Sequence, residues 1–183
     1  MKEILWVMIG IAAAMAVALS AAPLAVTRDF PIPGHGSLRL VTPDGWDAES
    51  STRREPPSVT LHLTPETGNS FDIQVTSAIL DAKERANATA ESIKERVQRA
   101  ATDLLPQSVE TVANIREIKG GEVVGYFYGL TDRSPGLGEF KFLTQGTFLT
   151  GDVLSAFTVL HRVQASPDVT QAIRMFTDAK HVR

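Results

Sequence analysis

The feature that most limits how this chain can fold is its beginning. From Ile4 to Leu19 (ILWVMIGIAAAMAVAL) no charged residue interrupts an apolar run, which continues as Ser20-Ala21-Ala22-Pro23. Lys2 precedes it, partly cancelled by Glu3. A short cation, an apolar stretch and a small-residue end are the parts of an export signal. The small residues suit a cut after Ser20, since Pro23 disfavours one after Ala22. An uncleaved anchor over residues 4–22 is the second reading, because about 20 apolar residues cross a bilayer core. Alanine contributes little to insertion, which weighs towards cleavage. A helix buried in the soluble body is the third reading and fits the charge pattern least. Either of the first two places the rest of the chain in the periplasm or outside the cell, anchored to the inner membrane if residues 4–22 remain. They are also its one expected contact with a membrane.

The remaining length suits one domain. Residues 1–22 read as signal peptide or anchor, 23–36 as an extended lead-in rich in Pro and Gly, and 37–183 as a single α+β domain. With 43% hydrophobic and 21% charged residues the composition is that of an ordinary folded protein. The net charge of −3 offers no basic field for nucleic acid. The absence of cysteine removes disulfides, thiolate zinc sites, cysteine nucleophiles and lipid-modified cysteine.

Period-two alternation marks the strands. Leu38 and Leu40 flank Arg39, and Pro43-Asp44-Gly45-Trp46 follows as a turn, with Trp46 folding back over the sheet end. Asp47 to Pro57 is polar and reads as a loop. Val59, Leu61 and Leu63 alternate with Thr60, His62 and Thr64. Gly68-Asn69 then connects to Phe71, Ile73 and Val75 as a hairpin. The period changes after Ala88: Ile93, Val97, Ala100, Ala101 and Leu104 predict an amphipathic helix over 90–105, stopped by Pro106. Strand signals return over Asn114–Lys119, Glu122–Thr131, Glu139–Thr150 and Val153–Val163. The last carries apolar residues on both faces, which implies layers on both sides. Ser166-Pro167-Asp168 starts a final helix with cap, proline and acid in order, and Lys180, His181 and Arg183 suit its C-terminal end. Strands joined by tight turns argue for an antiparallel sheet, which the two helices must cover.

An export signal, a strand ending in Pro-Asp-Gly-Trp, a hairpin, a long helix, the Gly125-Tyr126-Phe127-Tyr128 strand, a strand pair around Gly146 and Gly151-Asp152, and a last helix make a familiar layout. Over roughly Phe30 to Val182 it resembles the superfamily of the photosystem II protein PsbP and the Ran-binding Mog proteins, and especially its exported bacterial members of the DcrB type. The resemblance implies an α/β/α sandwich with a mainly antiparallel central sheet flanked by the two helices. The superfamily hosts unrelated roles and supplies no catalytic motif to carry over.

Residue chemistry gives little to an enzyme. His35, His62, His161 and His181 show no metal-ligand spacing and no neighbouring carboxylate in sequence, and no cofactor or metal is expected. No G-x-S-x-G marks a nucleophile; Ser134-Pro135-Gly136-Leu137-Gly138 reads as a hairpin tip. Asp29, Asp44, Asp47, Asp132 and Glu139 fall at turns, where caps and turns explain them. Asn87-Ala88-Thr89 matches a glycosylation triplet that only a eukaryotic secretory host would use. The aromatic set is the remaining candidate. Trp46, Tyr126 and Tyr128, with Asp132 and Arg133 of the following loop, are the expected contact for a partner, set against core packing of the rings. The expectation is a non-enzymatic envelope protein that binds a protein or envelope component. A small-ligand binder with a pocket between sheet and helix is the alternative, and a hydrolase with converging residues the third.

Overall fold

The computed structural model describes residues 25–183. The apolar segment 4–22, and with it the question of signal against anchor, lies outside the described residues. Among the described residues no helix is long and apolar enough to cross a membrane.

The fold is α+β, built mainly from antiparallel sheets. Its strands are β1 (Ala25–Pro31), β2 (Ser37–Pro43), β3 (Trp46–Arg54), β4 (Pro57–Pro65), β5 (Phe71–Ile79), β6 (Arg116–Ile118), β7 (Val124–Thr131), β8 (Phe142–Thr150), β9 (Val153–His161) and β10 (Lys180–Val182). Its helices are α1 (Ala82–Asn87), α2 (Ala90–Leu104) and α3 (Pro167–Thr177). A seven-stranded sheet runs β3-β4-β5-β9-β8-β7-β6, and a three-stranded sheet runs β1-β2-β10. The Asp44-Gly45 turn therefore hands the chain from the small sheet to the large one. Gly45 takes φ +78°, a conformation that other residues adopt only with strain.

Period two decides what each strand buries. One row crosses the large sheet as Ser50, Leu61, Val75, Phe157, Gly146, Phe127 and Arg116. Leu61, Val75, Phe157 and Phe127 of that row lie in the main core. α3 lays Ala172, Met175 and Phe176 onto the same core, with the Phe176 ring 4.3 Å from Phe157 and 5.2 Å from Phe148. Gly146 is glycine because a Cβ there would collide with the Tyr126 carbonyl oxygen and come within 2.7 Å of both Phe127 and Phe157. The alternate residues Tyr126, Tyr128 and Leu130 of β7 and Leu143 of β8 form a second cluster with Val97, Ala101 and Leu104 of α2.

The helix signals resolve into caps. Thr89 accepts from Ser92 N at 3.2 Å while Ser92 Oγ accepts from Thr89 N at 3.0 Å, a reciprocal start for α2. Ser166 accepts from Asp168 N at 3.2 Å with Pro167 as the first helical residue.

Three expectations are corrected, and one element, α1, was not anticipated. Asp47–Pro57 is not a loop: it supplies most of β3 and the turn into β4. The lead-in 23–36 contains β1, paired with β2 along its whole length, and Phe30 is buried. Asp81 caps a short helix, α1, which carried no apolar stripe to announce it. α3 ends at Thr177, so Lys180 and His181 do not sit on its C-terminus; they pair with β2 as part of β10.

Candidate functional site

The ladder between β7 and β8 ends at Thr131 opposite Phe142, and residues 132–141 form the loop that joins them. Two arginines fix this loop. Arg133 donates through Nε and Nη2 to the Ser108 carbonyl at 3.1 and 2.7 Å. Ser108 lies just beyond α2, where Pro106 and a single 3-10 turn over Leu105–Gln107 stop the helix. Arg162, just past β9, donates to the carbonyls of Asn69, Gly138 and Glu139 at 2.9, 2.9 and 3.2 Å and stacks on Phe140 at 4.5 Å. Within the loop, Asp132 accepts from Ser134 N and Glu139 from Gly136 N, at 2.8 and 2.7 Å. The turn chemistry expected of these two acids is what they perform.

Between the loop, the end of α2 and the sheet lies a cleft of about 170 Å³. Leu104, Leu130, Phe140, Phe142, Leu143 and Leu160 form its walls, and Gln107, Ser108, Asp132 and Lys141 its polar rim. Glu110 braces the same corner. Its carboxylate accepts from Thr131 N and Thr131 Oγ1, both at 2.8 Å. Partial burial pushes this carboxyl up, yet the hydrogen bonds from Thr131 outweigh it and hold the group below its ordinary value. Leu137, on the same loop, is fully exposed to solvent.

The five residues expected to form a contact do not come together. Trp46 is buried in the main core, 4.5 Å from the Phe71 ring. Tyr128 is fully buried beneath α2, and Tyr126 is half-buried beside it. Asp132 and Arg133 alone are exposed, at the start of the loop. The sequence reading missed Phe140, Lys141 and Leu160, which line the cleft, and Arg162, which clamps its loop. The alternation Phe140-Lys141-Phe142 was visible; the reach of Arg162 to carbonyls more than twenty residues away was not.

The histidines divide by environment. His161 is buried, with Nδ1 2.9 Å from the Val163 carbonyl. A carbonyl only accepts, so Nδ1 carries the proton and Nε2 faces Thr144 Oγ1 at 3.5 Å. Burial lowers its pKa, opposed by the Val163 hydrogen bond and the charge of Asp168. His62 does meet a carboxylate: the β4–β5 hairpin brings its Nε2 within 3.0 Å of both Asp72 oxygens. This pair is exposed on the open part of the sheet, and among the described residues no further His, Asp or Glu joins it to make a metal-binding group. His181 donates to the His35 carbonyl at 2.8 Å, tying β10 to the β1–β2 turn. Asp29 holds Arg39 through two bonds of 2.7 and 2.8 Å, and this hydrogen bonding lowers its pKa.

Compared with known proteins, the chain matches no family model and no curated sequence.

Proposed function

We propose that this is an exported, non-enzymatic protein of the cell envelope that works by binding another protein or an envelope component at the cleft beside loop 132–141. The observation that carries the proposal is the size and lining of that cleft. Small-molecule sites usually enclose about 300–1,000 Å³. At about 170 Å³ with leucine and phenylalanine walls, this one has the scale of a socket for one inserted apolar side chain. Its loop is already held by Arg133 and Arg162, so little ordering entropy is lost on docking. Leu137 on the tip and Lys141 on the rim complete an apolar centre with a charged edge.

The same reading takes the layers as the α/β/α sandwich of the PsbP and Mog superfamily. Two observations support it: α2 lies on β7 and β8, while α3 packs against β9 and the opposite core. Export rests on the apolar run Ile4–Leu19.

Two experiments test the proposal. Fractionation with N-terminal sequencing is expected to find the protein in the envelope fraction, either trimmed or membrane-bound; an intact cytosolic chain overturns export. A photo-crosslinking residue at Lys141 is expected to capture one envelope species in cells, and the same group at exposed Thr170 none. Leu137→Asp should reduce that capture. If capture is unaffected and a metabolite instead raises the melting temperature, the cleft is a small-ligand site.

A further inference from the structure

β3 is the outermost strand of the large sheet, and its free edge is specific enough to name an occupant. Its register with β4 tells which residues face outwards. Pro65 lies opposite Trp46 and Pro57 opposite Arg54, and proline has no N–H for the ladder. Gly45, the residue before Trp46, accepts from Glu66 N at 2.9 Å. Bonded and non-bonded pairs alternate along an antiparallel ladder. Odd-numbered residues of β3 therefore bond to β4, and even-numbered ones turn their N–H and C=O to the open edge. Trp46 is one of these, and its carbonyl accepts from Arg28 Nη2 at 3.0 Å. Among the described residues no hydrogen bond fills the edge from Ala48 to Arg54.

Such edges are usually guarded by a proline, a bulge or charges of one sign. Here the β3–β4 register runs unbroken from 46 to 54, without proline or bulge. Ser50, Ser51, Thr52, Arg53 and Arg54 are exposed, so neither face of the sheet covers this stretch. The charges are ordered, acid first and base last: Glu49 precedes Ser51 by two residues and Arg53 follows it by two.

We propose that this edge is a homodimer interface, in which two copies pair antiparallel through β3 about a two-fold axis at Ser51. That register sets each Glu49 directly opposite Arg53 of the second copy, on one face of the joined sheet. It sets Ser50 against Thr52 and Ala48 against Arg54 as bonded pairs, so every outward N–H and C=O from 48 to 54 gains a partner. Neighbouring registers are worse. Centring on Ser50 requires Trp46, whose carbonyl Arg28 already uses. Centring on Thr52 gives up both Glu49–Arg53 pairs, which outweigh the Asp47–Glu55 approach that the Ser51 register leaves beyond the end of β3 at Arg54, and centring on Glu49 sets that residue against itself. Parallel pairing in register opposes like charges throughout.

The chain contains no cysteine, so one introduced thiol reports the contact cleanly. Ser51 would face its own copy at a non-bonded position, where Cα atoms lie about 4.5 Å apart, within the span of a disulfide. In the full-length chain, mild oxidation of Ser51→Cys is expected to give a covalent dimer, while Ser134→Cys on the remote loop stays monomeric. Adding Arg53→Glu should slow the cross-linking of Ser51→Cys by about tenfold or more, as two attractive pairs become repulsive. The double exchange Glu49→Arg with Arg53→Glu should restore it, because the swapped charges are again complementary. These side chains are exposed, and circular dichroism checks that the fold is intact. Ser51→Cys cross-linking no faster than Ser134→Cys, or a rate indifferent to the charge reversal, overturns the proposal. So does failure of the exchange to restore it, or a full-length chain that sediments as a monomer.

Discussion

Tyr128 separates a recognition role from a structural one. Its ring is fully buried under α2, and its hydroxyl donates to Gln145 Oε1, whose amide in turn donates to Thr158 Oγ1 at 3.2 Å. Burial, with the charge of Asp103 adding to it, pushes the phenol from 10.0 up to about 12. At 1.36 kcal/mol per unit, that shift is on the order of 3 kcal/mol. The folded state favours the neutral phenol, so its pKa is raised on folding. Stability from this group is complete below pH of about 10 and is lost as pH rises towards about 12. At neutral pH, Tyr128→Phe should cost about 1 kcal/mol for the lost hydrogen bond, rising towards about 3 if the Gln145 oxygen finds no water.

The chain has two tyrosines, so Tyr126→Phe leaves Tyr128 as the only phenol in the molecule. Tyrosinate absorbance in that variant should show a native midpoint at about 12 and a urea-unfolded midpoint near 10. Urea melts of the wild type and Tyr128→Phe across the same pH range should differ by the amount above. A native midpoint near 10, or alkaline melts that coincide, would refute the reasoning. It would put the hydroxyl in water, where a partner could use it.

Gly146→Ala should destabilise the fold by about 1–3 kcal/mol, read as a fall in the urea midpoint at constant slope. Adding Phe157→Leu should relieve only one of the three close approaches, so the penalties should remain mostly additive. His161 is held neutral by burial, so its folded pKa lies below its unfolded one. Its stabilising contribution is present above about pH 6.5 and is lost as pH falls through the folded value. Urea midpoints measured down that range should fall less steeply in His161→Gln. Thr89→Ala removes the reciprocal cap of α2 and should cost about 1 kcal/mol, with Thr89→Ser recovering most of it.

The elements legible in the sequence are those whose burial has a period. β4 and β5 bury Val59, Leu61, Leu63, Phe71, Ile73 and Val75 at every second residue, and α2 buries Ile93, Val97 and Ala101 along one stripe. β3 has no such period. Beyond Ala48 it is exposed on both faces, and only its pairing with β4 makes it a strand. β10 is equally silent: three residues on a tail become a strand because β2 offers them an edge. Pairing of this kind is a property of two segments, and a one-dimensional pattern cannot carry it.

The site followed the same division. Its loop was legible, because Ser134-Pro135-Gly136 punctuates the chain between two strand patterns. Which side chains line its cleft was not. Aromatic type alone does not separate an interface anchor from a core ring, but parity does. Tyr126 and Tyr128 share the face of Leu130, which α2 covers, so their rings belong to the core. Leu137 belongs to no element and meets no core cluster, which leaves its side chain in water at a cost that folding does not recover. Among the large apolar side chains of the described residues Leu137 is the most exposed, ahead of Val112, and because two arginines clamp its loop, a docking surface is where its burial would become favourable at little further ordering cost.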